Sequence, residues 1–147
     1  MTDYAKPLPR IRPETAPFWE GCKNRELRVQ RCSSCGAYRF PPQVMCRHCN
    51  SIESHWEKVG GKGTVYSFTI PSRTSPGELP AKGFEYPFAV VLVELADAGG
   101  VRIPGNLVDC PLEEIKIGMQ VEVLFDDVTD TVTLPKFRPA GAGAPGE

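Results

Sequence analysis

Two Cys-x-x-Cys pairs are the feature that most constrains the fold of this chain. Cys32 and Cys35 form the first pair, and Cys46 and Cys49 form the second pair after a spacer of ten residues. Two such turns that face each other bring four thiolates together, which is the tetrahedral ligand set of structural zinc sites. Because protein ligands fill all four positions, the sequence predicts a closed structural zinc site with no open position for a substrate.

The residues around this site leave two alternatives to zinc. The same four thiolates suit iron, as in a rubredoxin-type centre, and a pair of disulfides is the other alternative. Gly36 and Asn50 directly follow the two pairs, so we expect a tight turn with a positive φ at each. Cys22 and Cys110 stand apart from the pairs. We expect both to be inert, since Cys110 has no adjacent His or Lys to lower its pKa.

The chain has 147 residues, which is enough for one ordinary domain or two small modules. Its net charge of −1 argues against a general polyanion-binding protein, but that charge is unevenly distributed. Residues 1–62 carry 11 Lys and Arg against 6 Asp and Glu, whereas residues 63–147 carry 6 against 12. This distribution predicts a basic N-terminal module followed by an acidic C-terminal module.

The hydropathy of the chain gives an expectation about its compartment. No apolar run approaches the roughly 18 residues that a membrane-spanning helix needs. The N-terminal residues lack the apolar core of a secretory signal. We therefore expect a cytoplasmic protein with no membrane partner, in which the paired cysteines are reduced and bind metal.

Apolar and polar side chains alternate after the cysteine pairs, as is typical of β-strands. Five short strands separated by turns predict a small antiparallel barrel, and the five-stranded OB-fold is the leading candidate. The nearly continuous apolar run at 88–95 is expected to be a central strand that is covered on both faces. The five predicted strands lie at 64–70, 88–95, 101–107, 119–125 and 131–134.

The predicted fold class is therefore mainly β, with four consecutive parts. These are an N-terminal arm and short helix at 1–26, a four-cysteine zinc ribbon at 27–62, an OB-fold at 63–138 and a disordered tail at 139–147. Thr15 is the expected N-cap of the helix, with Pro17 in the first turn. The glycine-rich stretch 60–63 has no strand-to-helix context, so we interpret it as the link from ribbon to barrel rather than a phosphate loop.

Two groups of aromatic residues are candidates for binding surfaces. Phe18 and Trp19, on the short helix, either pack on the chain's own core or dock on a partner. The long connection 71–87 ends with Phe84 and Tyr86, which either plug the barrel or form a ligand surface. The sequence shows no Ser-His-Asp set, phosphate loop or paired carboxylates, and so no catalytic machinery of its own.

The order of these motifs resembles the acyl-CoA-associated family first catalogued as domain of unknown function thirty-five. The resemblance covers about residues 15–138 and rests on CSSCG, PPQVMCRHC, GKGTVYSFT, YPFAVVLVELADAGGVRIPGNL and IGMQVEV. It implies a rubredoxin-like zinc ribbon joined to an OB-fold, with the four paired cysteines as the metal ligands. It also implies a non-catalytic accessory subunit of a thiolase-superfamily enzyme, such as a thiolase, an acyltransferase or a side-chain aldolase of lipid or aromatic metabolism.

The same resemblance implies that the chain docks on a thiolase-like homodimer, as a heterotetramer, and shares the acyl-CoA substrate with it. No catalytic residue is carried over, because the partner supplies the catalytic groups. Phe18 and Trp19 are the candidates for partner docking. The candidates for contacts with the CoA substrate are Tyr66, Phe68, Arg73, Lys82, Phe84, Tyr86 and Arg102.

The competing interpretation is a nucleic-acid-binding module made of a zinc ribbon and an OB-fold. Basic side chains in the N-terminal half favour it, and OB-folds bind single strands through aromatic residues and a positive groove. The acidic barrel half argues against it, because a groove that follows phosphates should carry positive charge on the barrel. The basic residues in question are Arg28, Arg31, Arg39 and Arg47.

Overall fold

The computed structural model describes residues 4–72 and 83–141. This part of the chain is mainly β, with one α-helix and two antiparallel sheets, which confirms the predicted fold class. One 3-10 turn, Leu112–Glu114, lies between the sixth and seventh strands. The helix α1 is Ala16–Lys23, and the strands are β1 Leu27–Cys32, β2 Tyr38–Arg39, β3 Ser54–Val59, β4 Lys62–Thr69, β5 Val90–Leu95, β6 Arg102–Asn106, β7 Gln120–Asp127 and β8 Thr133–Pro139.

Helix α1 begins where the sequence predicts, with Thr15 at the N-cap position and a proline in its first turn. The Thr15 hydroxyl does not cap the helix but donates to the Arg12 carbonyl at 3.2 Å. A helix of eight residues is marginal alone, so its stability comes from packing. It buries Phe18 and Cys22 and contacts strands of both sheets.

The first sheet is the ribbon, with strand order β2-β1-β3. Strand β1 pairs antiparallel with β3 along its whole length, from Leu27 opposite Val59 to Cys32 opposite Ser54. Leu27 and Val29 point inward and are fully buried. The end of the sheet that carries the cysteine turns therefore receives Cys32, the last residue of β1, to the end where the cysteine turns lie.

The second sheet is the five-stranded barrel, with strand order β6-β5-β4-β7-β8 and antiparallel pairing throughout. A bulge between Val65 and Ser67 bends β4, the strand that pairs with β5 on one side and with β7 on the other. A parallel bridge between Leu107 and Phe137 brings the chain after β6 against β8, so the sheet curls towards closure. This is the predicted OB-fold.

Strand β5 differs from the expectation that it is covered on both faces. Val91, Val93 and Leu95 are buried, whereas the alternate residues of the strand, among them Val90 and Leu92, are only half-buried. The expectation was wrong because a curled sheet has one inner face, and the described part of the chain leaves the outer face of β5 partly open. The apolar side chains on that outer face form a patch instead of a second core.

The last strand lies later than predicted. The segment before it forms a turn in which Val128 donates to the Val132 carbonyl, and β8 runs from Thr133 to Pro139. The prolines of β8 are tolerated because the strand lies at the sheet edge, where a missing N–H is not needed for pairing. Pro139 thus still belongs to the barrel, and residues 142–147 of the expected tail lie outside the described residues.

Helix, ribbon and barrel share one apolar core, in which Phe18 and Val29 join Val93 and Phe137. The glycine-rich stretch links β3 to β4, as predicted, with Gly60 and Gly61 between the strands, Gly61 at φ +77°, and Lys62 and Gly63 beginning β4. A polar contact also joins the end of the ribbon to the barrel, since the Gly60 amide donates to the Asp97 carboxylate at 2.7 Å. No helix in residues 4–72 and 83–141 is both long and apolar enough to cross a membrane.

Candidate functional site

The four paired cysteines meet at the tip of the ribbon. Their Sγ atoms all lie within 4.8 Å of one another. The Sγ atoms of Cys32 and Cys49 are 3.6 Å apart, and those of Cys35 and Cys46 are 3.7 Å apart. Four sulfurs at zinc-ligand distance in a tetrahedron lie about 3.8 Å from one another. The donor set therefore fits a structural zinc ion, and these distances are far longer than a disulfide bond.

The two turns have the backbone that the sequence predicts. Gly36 has φ +80° and Asn50 has φ +64°, in the left-handed region that glycine and asparagine tolerate best. Each residue closes its turn through its amide, which donates to the carbonyl of Cys32 or Cys46. The positive φ allows the chain to reverse directly after the second cysteine of each pair.

Backbone amides around two of the four sulfurs, those of Cys32 and Cys46, prepare these two to bind a cation. The N–H of Cys35 points at Cys32 Sγ, at 3.5 Å, and lowers the pKa of the Cys32 thiol to about 6. The N–H groups of Cys49 and His48 likewise lower the pKa of Cys46. Amide donors stabilise thiolates, and the thiolate is the form that ligates metal.

The other two cysteines lack this environment. Cys22 is fully buried in α1, and burial raises the pKa of its thiol to about 12. Cys110 is half-buried, and burial together with Glu114 and Glu113 raises the pKa of its thiol. A raised pKa disfavours the nucleophilic thiolate at neutral pH, and the inertness of both thiols stays a prediction.

A hydrogen-bonded Ser–His–Glu series lies beside the cysteine tip, although the sequence showed no such set. Ser33 Oγ is 2.9 Å from His55 Nδ1, and His55 Nε2 is 3.0 Å from Glu57 Oε1. In a catalytic triad the serine bonds Nε2 and the acid bonds Nδ1, so these roles are reversed here. His55 and Glu57 share one face of β3 through the two-residue strand period, which was the available sequence signal.

Glu57 also ties the ribbon strands together. Its carboxylate accepts from Arg31 Nη1 at 3.0 Å and from the Tyr38 hydroxyl at 3.1 Å. These donors, with His55 first among them, lower the pKa of the Glu57 carboxyl. A carboxylate held by donors from all three ribbon strands serves as a structural cross-link rather than a catalytic acid.

The predicted CoA-contacting residues fall into two groups on the barrel. Tyr66 is 46% exposed on β4, and the Arg102 guanidinium stacks 3.6 Å from its ring centroid. Phe68 is half-buried on the same strand, beside the apolar outer face of β5. Phe84 and Tyr86 form a separate cluster, each packed about 5 Å from Phe88. Arg73 and Lys82 lie outside the described residues.

The two predicted docking residues differ in exposure. Phe18 is only 5% exposed and belongs to the core. Trp19 is half-buried and packs edge-on against Phe18, with ring centroids 5.0 Å apart. It lines an apolar groove of about 390 Å³ between helix, ribbon and barrel. Other members of the groove wall are Phe40, Pro41, Pro42, Pro104 and Pro135.

A second cavity, of about 450 Å³, opens at the junction of ribbon and barrel. Its wall contains three arginines, Arg39 and Arg47 from the ribbon and Arg102 from β6. The sequence had suggested the first two only as part of a general basic surface. Strand pairing and the fold of the ribbon on the barrel bring all three to one cavity, which sequence spacing does not reveal.

Two family profiles match the chain in the order that the structure shows. Residues 19–51 match the family described as ChsH2, rubredoxin-like zinc ribbon domain. Residues 56–126 match the family described as ChsH2, C-terminal OB-fold domain. Both parts of the predicted architecture are thus those of a known family.

Individual relatives agree with these profiles. A probable enoyl-CoA hydratase alpha subunit of Thermomonospora curvata is 37% identical over 92% of this chain, but the chain spans only 40% of that protein's length. A DUF35 domain-containing scaffold protein of Methanocaldococcus jannaschii is 35% identical, with 73% of each chain covered. A chain of the solved Ltp2-ChsH2(DUF35) aldolase is 36% identical with a TM-score of 0.79, over 90% of this chain and 99% of that one.

Proposed function

The chain belongs to the ChsH2 (DUF35) family of zinc-ribbon and OB-fold proteins, and on this premise we propose that it is a non-catalytic accessory subunit of a thiolase-superfamily enzyme complex. The single observation that carries the proposal is the likeness to a chain of the Ltp2-ChsH2(DUF35) aldolase. The structural match covers 99% of that aldolase chain. A chain with the same two modules in the same order can present the same kind of docking surface. The reaction itself stays with the partner.

The zinc site has a structural part in this proposal. The four cysteines fill the coordination sphere, so the metal holds the ribbon tip and supplies no Lewis-acid position to a substrate. The Ser33–His55–Glu57 series has the reversed connectivity described above. The proposed role as an accessory subunit therefore depends on binding surfaces and not on catalytic groups.

The first proposed surface is the apolar groove beside Trp19. It is lined by aromatic and proline side chains, and its one described cation, Lys136, is already paired with Asp126. Proline and aromatic side chains bury apolar area at little cost in side-chain entropy, which suits a contact between subunits. We assign partner docking to this groove, with Trp19 in its wall and Phe18 supporting it from the core.

The second proposed surface is the pair of aromatic groups on the barrel. Tyr66, beside Arg102, and Phe84 with Tyr86 offer flat apolar walls for the pantetheine arm of an acyl-CoA held between the subunits. Phe68 extends the first wall along β4. We keep Arg73 as a proposed phosphate contact on the connection between the first two barrel strands. The complex is placed in the cytoplasm, where reduced thiolates keep the zinc site intact.

The barrel does not favour the competing nucleic-acid role. Two of its basic side chains, Lys136 and Arg138, are each paired with a carboxylate on a neighbouring strand, and residues 63–147 carry 6 Lys and Arg against 12 Asp and Glu. A groove that follows a phosphate backbone needs cations whose charge is not already neutralised. The charge pattern of the described barrel therefore supports the accessory-subunit role.

Co-expression with a thiolase-like enzyme from the same organism tests the proposal. We expect the two proteins to co-purify and to elute as a heterotetramer, with two copies of this chain on a two-fold symmetric dimer. The variant Trp19→Ala should weaken that association at least tenfold, because interface tryptophans carry a large share of binding energy. Ile117→Ala, at a 69% exposed position away from the groove, is the matched control and should leave it unchanged. Two proteins that never co-purify would overturn the proposal.

A further inference from the structure

The arginine-lined cavity between ribbon and barrel contains a buried positive charge without a counter-ion. Arg39 is only 7% exposed, and its neighbours satisfy it only in part. Its Nε donates to Gln30 Oε1 at 2.7 Å, and its Nη2 donates to the Gln43 carbonyl at 2.8 Å. Its Nη1 is buried and has no hydrogen-bond partner among residues 4–72 and 83–141.

Both partners of Arg39 are neutral acceptors, so they orient the guanidinium without neutralising it. A guanidinium does not lose its proton in a protein, and a buried charge without an opposite charge is costly. Most buried arginines are therefore paired with a carboxylate. Among the described residues this one is not, which indicates that the negative charge comes from outside the chain.

The other residues of the cavity wall add to the positive charge that an external anion would neutralise. Arg47, which lies next to Cys46 in the metal turn, is exposed and has no ion pair in the described part of the chain. Arg102 contributes a third guanidinium, although Glu94 already holds its Nε at 3.1 Å. No Asp or Glu is among the described lining residues, so the wall carries a clear positive excess.

From this arrangement we propose that the cavity binds the phosphate groups of a nucleotide-bearing ligand, specifically the 3′-phosphorylated ADP end of the acyl-CoA substrate. Arginines suit phosphate because their planar forks donate two parallel hydrogen bonds to its oxygens. A volume of about 450 Å³ exceeds the need of a lone anion, and the rings of Tyr38 and Phe40 provide flat walls beside the charges. The inference rests on the proposed function and deepens it by giving the CoA nucleotide a site on this subunit.

Calorimetric titration of the zinc-loaded full chain, alone and in complex with its partner enzyme, tests the inference. The probes are adenosine 3′,5′-bisphosphate, CoA, dephospho-CoA, pantetheine and inorganic phosphate. We expect the bisphosphate and CoA to bind, and loss of the 3′-phosphate in dephospho-CoA to weaken binding at least tenfold. Pantetheine, which lacks phosphates, should not compete with the bisphosphate.

Two exposed arginines are the variants of choice, since replacing buried Arg39 endangers folding. Arg47→Gln and Arg102→Gln should each weaken bisphosphate binding at least tenfold. Arg138→Gln is the matched control, because it removes a barrel arginine that is ion-paired across strands in the same way as Arg102. It should change binding less than twofold.

Three outcomes separate this inference from the proposed function. If both arginine variants bind the bisphosphate as the unaltered chain does, alone and in the complex, the inference is overturned while the accessory role stands. If they weaken docking of the partner instead, the cavity holds a carboxylate of the partner and the inference is likewise overturned. If the chain never docks on the enzyme, the proposed function fails. The titration of the chain alone still shows whether the cavity binds the bisphosphate.

Discussion

The ribbon has buried polar side chains in its interior and a metal-binding cluster at its tip, whereas the barrel interior is almost entirely apolar. Inside the ribbon, Gln30 and Arg39 are nearly inaccessible to solvent, and the tip depends on four thiolates meeting at one point. The barrel interior is filled by side chains such as Val91, Ile103 and Phe137, and its one buried polar residue among those described is Thr133.

The difference follows from size. A ribbon of two six-residue strands and one two-residue strand cannot enclose enough apolar area to fold alone, so coordination supplies the missing stability. Five curled strands can enclose such an area. We therefore expect removal of the metal to destabilise mainly the ribbon. Substitutions that leave a cavity should destabilise mainly the barrel.

Loss of a metal ligand should give the largest effect. Cys46→Ser removes one of four thiolates, and structural zinc contributes on the order of 10 kcal/mol to folding of such sites. We expect metal content to fall from one zinc per chain to nearly none, with loss of dispersed NMR amide signals from β1–β3. The barrel amides should stay dispersed.

Cys110→Ser is the matched control for that variant. It makes the same atomic change at a half-buried thiol outside the metal cluster, so it should keep one zinc per chain. A ribbon that stays folded in the metal-free Cys46→Ser variant would break the contrast between the two regions. A red, iron-loaded preparation would contradict the assignment of zinc.

The corresponding change in the barrel is Phe137→Ala. Phe137 is fully buried, pairs with Val123 and closes the barrel at the Leu107 bridge. Truncating a buried phenylalanine leaves a cavity and costs about 3–5 kcal/mol of unfolding free energy. Urea unfolding measures this loss, and a folded sample at low urea should still contain one zinc per chain. A loss below about 1 kcal/mol, the level of an exposed-site substitution, would show that the barrel core does not dominate its stability.

The polar interior of the ribbon should give an intermediate effect. Gln30→Ala leaves the Nε of Arg39 and the amide of Gln43 without their common acceptor. An unsatisfied buried donor costs roughly 1–3 kcal/mol, so we expect a loss of that size in urea unfolding. Gln120→Ala, at an exposed barrel position, is the control and should be close to neutral. If the free energy of unfolding of Gln30→Ala equalled that of the unaltered chain, the ribbon would be stabilised by the metal and not by its polar interior.

The smallest effect concerns a link between the helix end and the barrel. Arg25 binds the Asp127 carboxylate through two hydrogen bonds, and Thr133 donates to the same group. These donors hold the pKa of Asp127 well below its usual range, Arg25 being the main cause. The folded state is therefore stabilised above about pH 4, where the unfolded carboxyl ionises, and this stabilisation is lost as the pH falls further.

Asp127→Asn should be slightly less stable than the unaltered chain at pH 7, and the gap should narrow as the pH falls below about 4. The effect is small because both partners are exposed to solvent. Thermal unfolding between pH 2 and pH 7 measures it, with Asp130→Asn as the neighbouring control. A gap that widens at low pH would contradict the assigned direction of the pKa shift.

The sequence was most informative where local chemistry decides the structure. The two cysteine pairs predicted the cluster, and Gly36 and Asn50 predicted the positive φ of its turns, because both depend on only a few adjacent residues. The alternation in the C-terminal half predicted the five strands of the barrel. The order of the motifs predicted the family.

Features that depend on the meeting of distant segments were not predictable in the same way. The outer face of β5 stayed half-open, because the apolar run at 88–95 does not reveal how a sheet curls. The Ser33–His55–Glu57 series and the cavity with Arg39, Arg47 and Arg102 depend on strand register and on how ribbon and barrel pack. Neither property is encoded by spacing within one segment.

Reconstitution of enzyme activity tests the accessory role most directly. A thiolase-like enzyme from the same organism, one that co-purifies with this chain, is assayed on an acyl-CoA substrate while purified, zinc-loaded chain is added in increasing amounts. We predict that kcat/KM rises at least tenfold and saturates at one chain per enzyme subunit, and that the chain alone has no activity. An enzyme that is fully active alone, with no response to the added chain, would contradict the account.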